Sequence, residues 1–290
     1  MEPKLLRRIQ RYGWDLAATD YESLWQTHLA DVQAELMARA ALMPGERVLD
    51  VASGTGLIAF AAANAVGARG RVVGVDLSGQ MVDAASQRAR ERQVSNISFA
   101  RMDAEQLVLP DASFDVALCS LGLMYLPDPA RAVLEMRRVL RPGGRMVIAV
   151  WGERSQCGWA ALFPIVDAEV ASEVCPLFFQ MGQKDTLARL CADTRLDAIE
   201  QHRITTTLTY IDADEACRAA FVGGPVALAW SRFDEIVRAR VRARYVEAIS
   251  VWQDGQNYRV PCEFVVVAAK VPDGPTRFGR QISGGYGRAS

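Results

Sequence analysis

The chain has 290 residues, half of them hydrophobic and 23% charged, with a formal net charge of −1 at pH 7. That is enough apolar side chain for one sizeable core, while the balanced charge gives no field that would draw the surface to nucleic-acid phosphates. Six scattered cysteines without a C-x-x-C pair and only two histidines argue against a disulfide framework or a metal site, and no stretch approaches the ~20 apolar residues of a membrane span.

Segment 1–15 is basic and lacks the apolar core of a signal peptide, so the expected location is cytoplasmic. Residues 19–42 predict one amphipathic helix, because Tyr21, Trp25, His28, Leu29, Val32 and Leu36 recur at three- and four-residue steps before Pro44 and Gly45. Short apolar runs then alternate with helical ones: strand 47–51, helix 57–66, strand 71–76, helix 80–92, strand 97–100, strand 114–119, helix 129–140 and strand 145–151. Such alternation predicts an α/β protein with a doubly wound, mostly parallel sheet and helices on both faces.

Beyond residue 151 the alternation loosens. Residues 152–182 are rich in aromatics and proline, a helix is expected over 185–193, and 199–210 alternates threonines at 205, 207 and 209 in a β pattern. Residues 212–252 read as helical and 259–270 as a late strand, so the two β segments predict an antiparallel edge pair with a helical cap insertion between them. The expected organisation is an N-terminal helical cap over 1–43, a core over 44–210 and 256–270, an insertion over 211–255 serving as a substrate lid, and a disordered Gly- and Arg-rich tail over 271–290.

The chemistry concentrates at the ends of the predicted strands. Asp50, Val51, Ala52, Ser53, Gly54, Thr55 and Gly56 end the first strand and open a helix. Glycines there let the backbone approach a ligand, and amides at a helix N-terminus attract a carboxylate or phosphate. Asp76 ends the second strand, where its carboxylate can accept both hydroxyls of a ribose. Gly54-Thr55-Gly56-Leu57-Ile58-Ala59 also satisfies the G-x-G-x-x-[GA] fingerprint of dinucleotide sites, so an NAD-dependent oxidoreductase is the alternative reading. Asp50 weighs against it, since a carboxylate beside the glycines repels a pyrophosphate but can hold an ammonium group; the plainer role for Asp50 is to cap the loop. After the third strand, Asp103 can accept from the exocyclic amine of adenine while the Ala104 amide donates to the ring. Ser120, Leu121 and Gly122 follow the fourth strand at the expected crevice of the sheet.

Taken together, the 48–56 loop, Val75-Asp76, Asp103-Ala104, the 109–115 segment, Ser120-Leu121-Gly122-Leu123 and the 139–144 turn resemble the class I, Rossmann-like S-adenosylmethionine-dependent methyltransferases. The likeness is greatest to the ubiquinone/menaquinone biosynthesis C-methyltransferases of the methyltransferase type 11 group. It covers residues 44–151. The resemblance implies that Thr55, Asp76, Asp103, Ala104 and Ser120 bind S-adenosyl-L-methionine, and the expected cofactor set adds Asp50, Ser53, Gly54, Gly56, Leu77 and Met81. Those enzymes carry Phe-Gly-Leu-Arg-Asn where this chain has Leu121-Gly122-Leu123-Met124-Tyr125, and 152–270 does not look like their C-terminal region, so quinone chemistry is not carried over.

Methyl transfer from a sulfonium is an in-line displacement that mainly needs donor and acceptor held ~3–3.5 Å apart. A base adds to it where the acceptor must lose a proton. His28 is the candidate base, the other reading being a packed histidine on an apolar stripe; His202 is a weaker candidate. Tyr21, Trp25 and Tyr125 are expected to line the acceptor pocket, against the alternative of ordinary core packing. Phe163, Phe178, Phe179, Met181 and the 221–230 segment are expected to shape an apolar site. In the insertion, Arg238, Arg240, Arg242 and Arg244 interleave with apolar positions; they are either solvated and paired or turned toward an anionic acceptor. The expected function is methylation of a small apolar or aromatic molecule, with a catalytically silent cofactor-binding module as a third reading.

Overall fold

The computed structural model describes residues 2–170, 175 and 177–273. Three helices open the chain: α1 (Pro3–Ala17), α2 (Tyr21–Trp25) and α3 (Ala30–Ala40). The alternating core follows as β1 (Arg47–Val51), α4 (Leu57–Val66), β2 (Arg71–Asp76), α5 (Gly79–Glu91), β3 (Ile97–Arg101), β4 (Phe114–Ser120), α6 (Pro129–Val139) and β5 (Leu140–Trp151). The last part comprises α7 (Leu162–Val170), α8 (Thr186–Asp193), β6 (Asp197–Tyr210), α9 (Ala213–Phe221), α10 (Ala227–Arg232), α11 (Glu235–Ile249), the short β7 (Gln253–Asp254) and β8 (Asn257–Lys270).

The eight strands form one sheet in the order β3-β2-β1-β4-β5-β8-β6, with β7 paired to β8. The first five in that order run parallel, and β8 is antiparallel to both neighbours. Val48, Leu49 and Val51 in β1, Val116 to Cys119 in β4 and Met146 to Trp151 in β5 are all buried. Near-continuous apolar runs of this kind belong to strands covered by helices on both faces. Side-chain caps set where the crossover helices start: Ser78 Oγ accepts from Met81 N at 3.1 Å, and Asp128 Oδ1 from Arg131 N at 2.9 Å.

Several elements differ from the sequence expectation. The basic N-terminus is a helix, α1, which buries Leu6, Gln10, Gly13 and Ala17 at helical spacing. The single helix expected over 19–42 is two, with His28 in the turn between α2 and α3. The Arg141-Pro142-Gly143-Gly144 turn is absorbed into β5 as a register irregularity, with Gly143 at φ 74°. The expected tail begins too early, because Val271 is buried and its N–H donates to Gly144 O at 2.9 Å; residues 274–290 lie outside the described residues. The helices between β6 and β8 reach back over the N-terminal ones, α9 beside α2 and α10 beside α1, so both groups cover the same end of the sheet. Among the described residues no helix is long and apolar enough to cross a membrane.

Candidate active site

The strand order reverses between β1 and β4, and a crevice opens there at the carboxyl ends of the strands. Two non-glycine residues on its rim occupy the left-handed region, Ala52 at φ 55° and Leu121 at φ 58°. Such conformations cost about 1–3 kcal/mol each and persist where the surroundings enforce them. The two turns are in close contact: a Cβ on Gly122 would meet Ala52 Cβ at 2.3 Å, so only glycine lets the second turn approach the first.

The crevice is the floor of a cleft. Of the residues singled out in the sequence, Gly54, Asp76, Leu77, Met81, Asp103, Ala104, Ser120, Tyr21 and Tyr125 line it. The expected N-terminal cap supplies part of the roof through residues that were not singled out: Arg7, Gln10 and Trp14 come from α1. The signal for them was present in the 6-10-13-17 spacing, but two of those four buried positions are Gln and Gly, which an apolar pattern does not register.

Beside the cleft lies a polar annex whose lining includes Tyr21, Gln33, Asp50, Ser53, Gly54 and Ser120. Asp50 is 1% exposed, and its Oδ2 is buried without a hydrogen-bond partner, as is Ser53 Oγ. Burial, followed by the nearby Asp76 carboxylate, pushes the Asp50 carboxyl up to about 8. Asp76 is better provided for: Oδ2 accepts from Gly54 N and Oδ1 from Ser78 N, both at 2.8 Å. Burial still raises its carboxyl above the usual range, with those amides opposing the shift. A buried carboxyl with an orphaned oxygen, facing the half-buried Asp76, favours a cationic donor beside them.

The roof is pinned to the core by charge. Arg7 pairs with Asp103 at 3.1 Å and with the buried Glu105, while Glu105 N donates to Asp103 Oδ1 at 2.9 Å. Asp15 accepts from Ser78 Oγ at 2.6 Å and from Gln80 N at 3.2 Å. Glu22 accepts from Thr55 Oγ1 at 3.1 Å and pairs with Arg88. Thr55 is therefore engaged with α2 and lines none of the cavities described here, and Gly56 faces the Phe60 and Phe99 rings rather than the cleft.

Also opening beside Tyr21 is a small aromatic annex, lined by Trp14, Tyr21, Trp25, Tyr125, Trp151 and Trp159 with Leu29, Leu121, Gly224 and Pro225. It shares Trp14, Tyr21, Leu121 and Tyr125 with the cleft. Phe163, Phe178 and Phe179 stand behind it, with ring centroids 5.7, 5.5 and 6.0 Å from Trp159. They back the wall rather than form it. Burial raises the Tyr21 and Tyr125 phenols above their ordinary value, so both remain donors.

His28 is not brought to any of these cavities. Its ring packs 6.0 Å from Trp25 and 4.7 Å from Tyr210, and burial lowers its pKa. His202 lies on β6, where its Nδ1 is 3.0 Å from an Arg39 guanidinium nitrogen. The insertion arginines are engaged elsewhere: Arg240 and Arg244 with Glu169, Arg242 with Asp214, and Arg238 over the Trp230 ring.

A methyltransferase domain family matches residues 49–148. The chain is 31% identical over 173 residues to the ubiquinone/menaquinone biosynthesis C-methyltransferase UbiE of Bdellovibrio bacteriovorus, covering 58% of this chain and 73% of that protein. It is 35% identical over 146 residues to the aklanonic acid methyltransferase DauC of a Streptomyces species, covering 50% and 66%. The fold is similar to that of phosphoethanolamine N-methyltransferase 2 of Haemonchus contortus, solved with S-adenosyl-L-methionine, at a TM-score of 0.58 and 18% identity over 89% of this chain and 57% of that one. The chain belongs to the class I S-adenosylmethionine-dependent methyltransferases, close to the ubiquinone/menaquinone biosynthesis C-methyltransferase family. Its cofactor is S-adenosyl-L-methionine, and the oxidoreductase reading of the glycine loop is not favoured.

Proposed function

We propose that the enzyme methylates a small, flat, apolar molecule seated in the aromatic annex, with the cofactor's amino-acid end in the polar annex. The observation that carries this reading is the orphaned, buried oxygen of Asp50 beside Asp76 in a polar pocket that shares Tyr21 with a second pocket lined by rings. Asp50 and Ser53 would hold the ammonium end, Asp76 the ribose hydroxyls, and Asp103 with the Ala104 amide the adenine. Leu77 and Met81 would pack against the base, and Gly54 and Ser120 would bound the middle. Thr55 and Gly56 would contribute by shaping the loop. When bound, the cofactor supplies an electrophilic methyl carbon on sulfur. The chain's own part is to exclude water, align the acceptor and hold a positive centre near aromatic faces.

No carboxylate or imidazole lines the aromatic annex among the described residues. The acceptor is therefore one that loses its proton to solvent before reaction. Calorimetric titration with S-adenosylhomocysteine and with NADH tests the cofactor half: saturable binding of the first and none of the second is expected, and retention of NADH alone overturns it. Transfer of labelled methyl to a panel of flat hydroxylated aromatics and of aliphatic amines tests the acceptor half. Turnover confined to the aliphatic amines overturns that part.

A further inference from the structure

Nine large apolar side chains are exposed among the described residues, and six of them stand singly on other helices or loops. The remaining three, Leu5, Tyr12 and Leu16, are 39%, 46% and 49% exposed and share α1, where the half-buried Ile9 joins them. Positions 5, 9, 12 and 16 follow steps of four and three, so they form one continuous row along the helix. Scattered apolar residues are ordinary on a protein surface, whereas a continuous row marks a place of contact. At ~100° per residue, the row lies about 160° around the helix from Arg7, Gln10 and Trp14, which line the cleft. One helix thus roofs the cleft on one side and shows an apolar row to solvent on the other.

The charges beside the row are of one sign. Lys4, Arg8 and Arg11 border it on the side away from the buried face of α1, and no ion pair among the described residues includes any of the three. Arg11 lies over the Tyr12 ring, 4.4 Å from its centroid. The acid of the same helix, Asp15, is engaged inward by Ser78 and Gln80, just as Arg7 is by Asp103 and Glu105. An apolar row bordered by unanswered cations suits the boundary between headgroups and acyl chains, where the rings and methyl groups enter the apolar layer and the long basic side chains reach the phosphates. A second copy of the chain would match the row but bring the same unanswered cations. We infer that the outer face of α1 docks on an anionic lipid surface. The inner face keeps its ion pairs and hydrogen bonds in that arrangement, so docking asks no rearrangement of the roof, and the inference does not depend on which molecules occupy the cleft.

Flotation of the full chain with vesicles of phosphatidylcholine alone, and of phosphatidylcholine with about one third phosphatidylglycerol, tests it. Partition onto the anionic vesicles is expected to exceed that onto the neutral ones at least about tenfold, and to fall by a similar factor in about 0.5 M salt. L5Q/L16Q interrupts the apolar row, and K4E/R8E reverses two exposed charges. Each is expected to lower partition onto the anionic vesicles about tenfold, with a melting temperature within about 3 °C of the wild type, because exposed positions carry little of the fold. Should L5Q/L16Q unfold, K4E/R8E decides. No partition of the wild type onto anionic vesicles, equal partition onto both kinds, or wild-type partition by K4E/R8E overturns the inference. So does a lipid-free dimer in sedimentation velocity that L5Q/L16Q dissolves, which would assign the row to a second copy of the chain.

Discussion

The polar and the aromatic annex are built on opposite principles. In the polar annex, Asp50, Ser53 and Gly54 come from one strand-to-helix loop, and the decisive atoms are a few buried oxygens, one of them Asp50 Oδ2 with no partner. In the aromatic annex, Trp14, Trp25, Tyr125, Trp151, Trp159 and Pro225 come from six separate segments, and the surface is rings. A few charge-assisted contacts in a dry site are individually strong and intolerant of change. Ring contacts are individually weak and shared among many atoms. On the proposed function, chemistry common to a family belongs at the polar annex, and selectivity for one acceptor at the aromatic annex.

The largest effect that would sharpen this contrast is expected from Asp76→Ala. It deprives the Gly54 and Ser78 amides of their acceptor and is expected to weaken S-adenosylhomocysteine binding by roughly 1.5–3 kcal/mol in calorimetry. Unchanged affinity would remove Asp76 from the cofactor site. Asp50 is expected to show itself through protons. Because its carboxyl is pushed up to about 8 in the free protein, meeting an ammonium at pH 7 should release about one proton per ligand. The dependence of binding heat on buffer ionisation measures that release, and Asp50→Asn should abolish it. The same shift has a stability consequence of definite sign. The folded chain holds a proton that the unfolded chain gives up, so the contribution of Asp50 to stability falls as pH rises from 3.8 to about 8. Melting temperatures of Asp50→Asn should accordingly fall less than wild type between pH 5 and pH 8; parallel curves would place the titration elsewhere.

The smallest effect is expected from His28→Ala. With its ring between Trp25 and Tyr210 and outside the cavities, its loss should leave turnover within about twofold and cost about 1 kcal/mol of stability. A large fall in initial rate with cofactor affinity intact would restore the imidazole as the base.

The parallel half of the molecule was legible from its residues to an unusual degree: β1, α4 and β2 coincide with the predicted strand 47–51, helix 57–66 and strand 71–76. Continuous Val and Leu runs closed by Asp and Gly leave little choice there. A helical cap over 1–43 was expected, but the residues by which α1 reaches the cleft were not legible. The fifteen residues of α1 carry their buried face on Leu6, Gln10, Gly13 and Ala17, of which only Leu6 is strongly apolar. Its pairing of Arg7 with Asp103 and Glu105 joins positions almost a hundred residues apart. In the last third, Phe163, Phe178 and Phe179 were expected to shape the acceptor site; they pack behind Trp159, which with Trp151 lines the aromatic annex.

The amino-acid sequence by itself determined the alternating strands, the strand-end positions of Asp50, Asp76 and Asp103, and the glycine turns, because periodicity and turn chemistry act between residues close in the chain. Only the tertiary structure decided which rings meet and which polar atoms are left unpaired. Both depend on how helices from distant segments settle over the strand ends, and a hydrogen-bond partner becomes missing only once every neighbour has taken its place.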